Sequence, residues 1–317
     1  MKLPSNKKIL ILGASGQLGM DLCKALSTHK SKITFVRKLK WDAQNKNNKN
    51  NVFISVDLLK ISEKKLKDLV ADADIIFHLS ANTNVQVKPQ HERNFLIPQI
   101  NFLNRILVLL INTNKTLIFS SSCSVYGLNH KKIINDQAIP EPLTSYDLLK
   151  TSSDQLIEYY QKIYNINCCS VRFSNIYGSD SALSNAKNRR ILNKFAEQMH
   201  LRQEVAVVKK GMFYRNYLHV SDAARMLIHL AKQKRFEQSI YIGSSRENIF
   251  FIDAVKILAQ TYEKKFKKNI KVNKNFPSSY ITDTRSFKIH PSKIFMQGFK
   301  YKFNIKKGFL DLIKGDL

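Results

Sequence analysis

The sequence predicts an α/β fold, a doubly wound parallel sheet followed by a smaller C-terminal lobe. Three observations predict it. Short apolar runs alternate with amphipathic stretches through the first half of the chain, as strand and helix alternate in a parallel sheet. The first run passes straight into Gly13-Ala14-Ser15-Gly16-Gln17-Leu18-Gly19, a glycine turn between strand and helix. The later strand exits are small or polar, at Asp57, Ser80 and Ser122, and in such a sheet these exits share one edge.

Taken in order, Lys8-Ile9-Leu10-Ile11-Leu12 has the pattern of a buried parallel strand. The stretch after the glycines carries Leu18, Leu22, Ala25 and Leu26 at helical spacing. Strand, glycine turn, helix is the context that a dinucleotide site requires. The first glycine allows the tight turn, the second lets backbone approach a pyrophosphate, and the third lets helix and strand pack closely. The helix N-terminus then offers N–H groups to the phosphates. Residues 32–36 form the second strand, and Arg37-Lys38 follow where an acidic residue would hold the ribose hydroxyls. A cation there accommodates a 2′-phosphate, which favours NADP over NAD. The Asn/Lys run at 45–51 reads as a surface loop.

The third strand, 52–56, ends at Asp57-Leu58, and 61–70 reads as a helix. The fourth strand, 74–81, leaves through small residues, with His78 as a packed strand histidine. Residues 89–113 read as largely helical, with Pro98 as an irregularity. The fifth strand, Thr116-Leu117-Ile118-Phe119, opens into Ser120-Ser121-Ser122-Cys123-Ser124-Val125-Tyr126-Gly127.

Next comes Thr144-Ser145-Tyr146-Asp147-Leu148-Leu149-Lys150. A Tyr and a Lys four apart on a helix share one face. An ammonium beside a phenol favours the phenolate and makes the Tyr a usable acid/base near neutral pH. The spacing alone is not distinctive. With twelve Tyr in so Lys-rich a chain, roughly one such pair arises by chance. Its weight comes from the glycine turn, Ser80 and Ser122, which the topology brings to the same edge.

The second half is organised differently. Residues 185–199, 220–234 and 251–262 read as helices, separated by short strands at 205–208 and 239–242. No Pro/Gly/Ser linker marks a boundary. The expected division is residues 1–178 for the dinucleotide-binding sheet with its acid/base pair, and 179–317 for an intertwined substrate-binding lobe.

The bulk properties narrow the class. The chain has 317 residues, 44% of them hydrophobic, enough for a large core. No stretch approaches the ~20 apolar residues of a membrane span, and the apolar residues before Gly13 are too few for a signal peptide. Cys23, Cys123, Cys168 and Cys169 form no CxxC and no zinc-like spacing, which fits a reduced, cytoplasmic compartment. The net charge of +28 invites a nucleic-acid reading. The charge is mostly Lys spread through the chain, and no nucleic-acid-binding motif accompanies it. A nucleotide diphosphate fits a basic surface equally well.

Four signatures in order make the chain resemble the extended short-chain dehydrogenase/reductases, within the NAD-dependent nucleotide-sugar epimerase/dehydratase family. They are Gly13-x-x-Gly16-x-x-Gly19, His78-Leu79-Ser80-Ala81, Ser121-Ser122-x-x-Val125-Tyr126-Gly127 and Tyr146-x-x-x-Lys150. Arg172-Phe173-Ser174-Asn175-Ile176-Tyr177-Gly178, Arg215-Asn216-Tyr217-Leu218-His219-Val220-Ser221-Asp222, Tyr241-Ile242-Gly243 and Asp283-Thr284-Arg285 look like later landmarks of the same family. The resemblance implies a Rossmann-type sheet and NAD or NADP as cofactor. It implies Tyr146 as the acid/base of a sugar hydroxyl, Lys150 as its partner, which also binds the nicotinamide ribose, and Ser122 as a hydrogen-bonding group on the same oxygen. It places the cofactor against Gly13, Ser15, Gly16, Gln17, Leu18, Gly19, Arg37, Asp57, Leu58, Leu79, Ser80, Ala81, Asn101, Tyr146, Lys150 and Phe173. It makes Asn175 and Arg215 candidates for the substrate diphosphate, which a planar guanidinium suits. A homodimer and a place in polysaccharide biosynthesis are likewise implied.

The departures narrow the reaction. The family's 4,6-dehydratases carry an acidic pair directly after the catalytic hydroxyl residue, where this chain has Cys123-Ser124. That argues against a dehydratase and, less directly, against a decarboxylase. Relatives that epimerise with a Cys carry it two residues before the Tyr, where Ser124 stands, so Cys123 reads as a packing residue. Asp154 replaces a usual Glu and Asn216 a usual Asp, and the segment 208–215 is short and lacks a second glycine. The sequence therefore points to a nucleotide-sugar 4-epimerase, with an NADPH-dependent 4-keto-sugar reductase as the alternative. A non-catalytic dinucleotide-sensing or RNA-associated protein of the same fold is the rival from another class.

Overall fold

A computed structural model of the chain describes residues 3, 6–27, 29–38, 51–83, 87–128, 133–178, 191–208, 213–276 and 285–315. Ile9–Leu12 (β1) is buried at every position, as a strand covered on both faces must be. Gln17–Leu26 (α1), Ile33–Arg37 (β2) and Asn51–Ser55 (β3) follow. Glu63–Ala71 (α2) is capped by Ser62, whose side chain accepts from the Lys65 N–H. Ile75–His78 (β4) is again buried throughout, and Glu92–Leu109 (α3) runs on through Pro98. Thr116–Ser122 (β5) passes into a short 3-10 helix, Cys123–Tyr126.

After Ile133–Ile134 (β6) come Ser145–Tyr164 (α4), Asn167–Phe173 (β7) and Asn175–Tyr177 (β8). Then follow Ile191–Arg202 (α5), Glu204–Val208 (β9), Tyr214–His219 (β10), Val220–Leu230 (α6) and Ile240–Gly243 (β11). The chain ends through Asn248–Phe250 (β12), Phe251–Phe266 (α7), Lys271–Phe276 (β13), Lys288–Ile289 (β14), Lys293–Met296 (α8) and Ile305–Gly315 (α9).

The central sheet has seven strands in the order β3-β2-β1-β4-β5-β7-β11. Neighbours from β3 across to β7 are all parallel. The order reverses between β1 and β4, the switch point at which open α/β sheets bind ligands. The expected doubly wound, Rossmann-type fold is therefore present, and the exits at Gly13, Asp57, Ser80 and Ser122 do share one edge.

Contacts divide the chain into two units. The first holds residues 1–127, 139–173 and 224–242, and the second 128–138, 174–223 and 243–317. The break expected near 178 falls close to one of several crossings. The run at 239–242 becomes β11, on the end of the central sheet, so the chain returns to the first unit before leaving it again. Leu10, Leu12, Ile76, Leu117 and Phe119 of the sheet pack with Phe102, Leu103, Ile106 and Leu107 of α3 and Ile157 of α4 to form the first core. The second core gathers Phe195, Met199, Phe251, Leu258, Tyr262, Phe309 and Leu312.

Several local expectations change. β5 extends three residues past its apolar run, because Ser120, Ser121 and Ser122 continue the ladder opposite Val171, Arg172 and Phe173. Of the four residues expected on the apolar face of α1, Leu18, Leu22 and Leu26 are buried and Ala25 is exposed. The 220–234 helix stops at Leu230. Asn51, expected to close the Asn/Lys loop, begins β3 instead, while residues 45–50 of that run, the start of the 185–199 helix and Asp283-Thr284 lie outside the described residues.

Candidate active site

Backbone contact dictates the glycine turn. Gly13 has φ +92° and lies against the exit of β4. A Cβ on Gly13 would stand 2.5 Å from the Ser80 nitrogen and 2.7 Å from its Cα. A Cβ on Gly19 would stand 2.3 Å from the Gly13 carbonyl oxygen, so this glycine packs helix on strand. Gly16 is different: it is exposed, and its nearest neighbour would be the Gly13 oxygen at 3.6 Å. It is the N-cap of α1, with no side-chain cap bond. A helix start with no capping side chain, reached by a turn that has glycine at both ends, is a cradle that a pyrophosphate fits. Leu79 continues the ladder by donating to the Leu12 carbonyl at 2.8 Å, which holds Ser80 and Ala81 beside that cradle.

Around the cradle, Ser15 is half-buried while Gln17 and Leu18 are buried. Arg37 ends β2. Asp57 caps the 3-10 turn at Leu58–Lys60 and pairs with Lys38 at 2.9 Å, which holds its carboxyl below the usual range. Leu58 belongs mostly to the core. Phe173 is buried opposite Ser122. Asn101 is exposed midway along α3, in a groove with Leu59, Ile61 and Arg105 that no glycine-turn or serine-strand residue lines.

His78 is packed as expected. It is buried, meets Phe102 and Phe119 edge-on, and lies 3.2 Å from the Ser80 hydroxyl through Nδ1. Burial, with Lys150 adding to it, lowers its pKa to about 3, so the ring is neutral.

A capping box starts α4. The Thr144 hydroxyl accepts from the Asp147 N–H at 3.1 Å, and the Asp147 carboxylate accepts from the Thr144 N–H at 3.1 Å. That places Tyr146 in the first turn, half-buried, and Lys150 one turn later, buried. The Lys150 ammonium donates to the Ser120 carbonyl at 2.6 Å and stands 5.7 Å from the centre of the Tyr146 ring. Burial lowers the Lys150 pKa to about 8, with Asp154 opposing the shift. Ser122, two residues beyond Ser120, accepts from the Ser124 N–H at 3.1 Å and caps the 3-10 helix. This engages one lone pair and leaves the hydroxyl able to donate. Cys123 is buried and its thiol donates to the Arg172 carbonyl at 3.1 Å. Burial pushes that thiol's pKa up.

Sequence reasoning missed a buried cluster behind these groups. Arg172 Nε donates to Asp154 Oδ2 at 2.7 Å, and Arg172 Nη1 to the Tyr126 hydroxyl at 2.9 Å. The Ser170 hydroxyl donates to the other Asp154 oxygen. One signal was available: Tyr146, Lys150 and Asp154 follow each other at four-residue steps, so they line one face of α4.

In the second unit, β8 and β10 pair in parallel with Asn175 opposite Tyr217. Arg215, two residues before Tyr217, shares its face with Asn175. The exposed Asn175 amide donates to the Asn216 carbonyl at 3.1 Å. Arg215 donates to the Tyr214 carbonyl at 3.1 Å and to that of Arg285. Asn216 is buried, and its side chain ties Ser174 to the Ser245–Glu247 loop. Among the described residues no cluster of His, Cys, Asp or Glu could hold a metal ion, and no helix is long and apolar enough to cross a membrane.

Comparison with known proteins agrees with this fold. The model of the NAD dependent epimerase/dehydratase family matches residues 9–243. A Bacillus subtilis protein named as an uncharacterized UDP-glucose epimerase is 26% identical over 253 residues, which cover 75% of this chain and 77% of that one. The human dTDP-D-glucose 4,6-dehydratase is 21% identical over 252 residues, 76% of this chain and 70% of its own. The crystal structure of UDP-glucose 4-epimerase with UDP-glucose from Thermotoga maritima superposes with a TM-score of 0.80 at 20% identity, over 97% of each chain.

Proposed function

The chain belongs to the NAD-dependent epimerase/dehydratase family, and from that premise we propose that it is a nucleotide-sugar 4-epimerase using a bound NAD or NADP. The observation that carries this reading is the site around Ser122. An acid/base pair faces the serine strand, while the two residues after Ser122 are a buried Cys and a Ser rather than carboxylates. Such a site can move a proton on a sugar oxygen and lacks the acidic pair for eliminating water.

Gly13, Gly16 and Gly19 would hold the pyrophosphate of the dinucleotide at the start of α1. When bound, the dinucleotide supplies hydride removal from a sugar carbon and hydride return to its other face. The chain's own residues do the rest. Tyr146 takes the proton of the 4-hydroxyl and later gives it back. The Lys150 charge favours the phenolate through the field of a nearby ammonium. Ser122 donates a hydrogen bond to the same oxygen. Asn175 and Arg215, on one face of the small sheet, bind the substrate diphosphate. Relatives named for UDP-sugars make a uridine diphosphate sugar the first substrate to test.

Arg37 at the end of β2 favours the second reading, reduction of a 4-keto sugar with NADPH. Retention of the cofactor separates the two. A recycling epimerase purifies with dinucleotide bound and interconverts two nucleotide sugars with none added. A reductase releases it and consumes added NADPH. If the purified chain neither held dinucleotide nor interconverted any UDP-hexose, the epimerase reading would fall.

We also read the chain as a homodimer through α3 and α4, because α4 carries exposed Leu148, Tyr159 and Ile163 on one face.

A further inference from the structure

Ser122 sits at the head of a 3-10 helix of only four residues, Cys123–Tyr126. So short a turn has few hydrogen bonds of its own, and their geometry is poor. Bonds from outside add to them: the Glu141 N–H donates to the Val125 carbonyl at 2.7 Å, in the middle of the turn, and Arg172 supplies the contacts at its ends. Arg172 reaches both ends of the turn: its carbonyl accepts from the Cys123 thiol at 3.1 Å, and its Nη1 donates to the Tyr126 hydroxyl at 2.9 Å. Tyr126 is fully buried. Arg172 is itself pinned to α4 by Asp154, at 2.7 Å, with both side chains 5% exposed or less. Asp154 stands one turn beyond Lys150 and two beyond Tyr146. A continuous set of buried polar bonds thus runs from the acid/base helix, through β7, to the turn that carries Ser122.

A buried ion pair contributes little net stability over well-packed apolar groups, whereas it can fix position. We propose that Arg172 is a positioning residue that fixes the Ser122 turn against α4, acting through Tyr126 at one end and Asp154 at the other. It sets where the Ser122 hydroxyl stands relative to Tyr146. This inference rests on the proposed role of Ser122 in hydrogen-bonding the reacting sugar oxygen.

The test uses Tyr126→Phe, which removes one oxygen and keeps the ring that fills the core. Removing Arg172 itself would strand the Asp154 charge and risk the fold. In hydrogen exchange on the full chain, protection of residues 122–127 should fall about tenfold in Tyr126→Phe, while that of α4 stays as in wild type. Equal protection in the two proteins would overturn the inference. In turnover of a nucleotide sugar, Tyr126→Phe should lower kcat about tenfold with KM unchanged. In a Ser122→Ala background the same change should cost nothing more, because its effect passes through the missing hydroxyl. Losses that simply multiply would overturn it too, since general loosening acts whether or not Ser122 is present. Were the wild type to turn over no nucleotide sugar, the proposed function would fail on its own, and the exchange result would still decide whether Arg172 holds the turn.

Discussion

The Lys150 ammonium donates to the carbonyl oxygen of Ser120 at 2.6 Å, and this bond joins α4 to the strand that ends in Ser122. It gives a buried cation a fixed acceptor and leaves two of its three N–H groups for other partners. The charge therefore stays close to Tyr146 rather than wandering on a flexible stem.

In the proposed mechanism Tyr146 exchanges a proton with a sugar hydroxyl, and Tyr146→Phe removes the oxygen that does so. Turnover should fall about a thousandfold, the scale on which a positioned acid/base acts. Dinucleotide affinity should change by no more than about threefold, because the phenol oxygen is a small part of that contact. Steady-state rates and a fluorescence titration of the cofactor check both. Wild-type turnover in the variant would refute the mechanism.

Lys150 makes stability depend on pH in a defined direction. Its pKa is 10.5 unperturbed and about 8 when folded. Between those values the unfolded chain binds more protons than the folded one, so stability from this group rises with pH. It is greatest above 10.5 and is lost as pH falls to 8. Lys150→Met has no such dependence. The melting temperature of the cofactor-free wild type should therefore gain on that of Lys150→Met between pH 8 and 10. A constant difference would show that the ammonium carries no burial penalty.

The three glycines should respond unequally to alanine. Gly13→Ala meets Ser80 backbone at 2.5 Å with φ at +92°, and Gly19→Ala meets the Gly13 carbonyl at 2.3 Å. Neither neighbour is a side chain that can turn away. Each variant should lose several degrees of melting temperature, an expected destabilisation of about 2 kcal/mol. Gly16→Ala has 3.6 Å of clearance, so it should fold as wild type and lose only dinucleotide affinity. Thermal melts beside cofactor titrations separate the two behaviours. Equal melts for all three would contradict the contacts.

The sheet and its ligand edge were legible because their signals are local. Four buried apolar residues at Ile9–Leu12, then a residue that tolerates φ +92°, read as strand and turn from the letters alone. The Arg172–Asp154–Tyr126 cluster was not legible in this way. Its members are drawn from three elements, and in a chain with 52 Lys and Arg a lone Arg or Asp looks solvated. Only the fold shows that these side chains are buried and paired. The length of β5 was hidden for a related reason. Ser120–Ser122 carry no hydrophobic signal, and their strand geometry comes from backbone pairing with β7. β11 shows the same limit, since its run reads as a strand while its place in the central sheet is set by tertiary pairing.

The proposed preference for NADP rests on Arg37. Arg37 ends β2, where a cation can meet a 2′-phosphate, and the neighbouring Lys38 pairs with Asp57 at 2.9 Å. Arg37→Ala should weaken NADP binding about tenfold and leave NAD binding within about twofold, as expected when one charge-assisted contact is lost. Competition titrations of the two dinucleotides measure it. Equal losses for both would mean that Arg37 does not read the phosphate.

The last prediction concerns assembly. Tyr159 and Ile163 on α4 are 51% and 63% exposed, and Leu148 lies on the same side three turns earlier. α3 adds exposed Ile97 and Val108. Large apolar side chains on one helix face, left in water by a monomer, lose that cost when a second copy covers them. Ile163→Glu puts a charge on the most exposed apolar residue of this row, and burying an unpaired carboxylate is costly enough to prevent closure. Light scattering should give twice the 36.6 kDa chain mass for the wild type and the single chain mass for the variant, with the melting curve of each unit otherwise retained. A wild type that runs as a single chain at micromolar concentration would remove the dimer. A variant that stays dimeric would move the interface to another face.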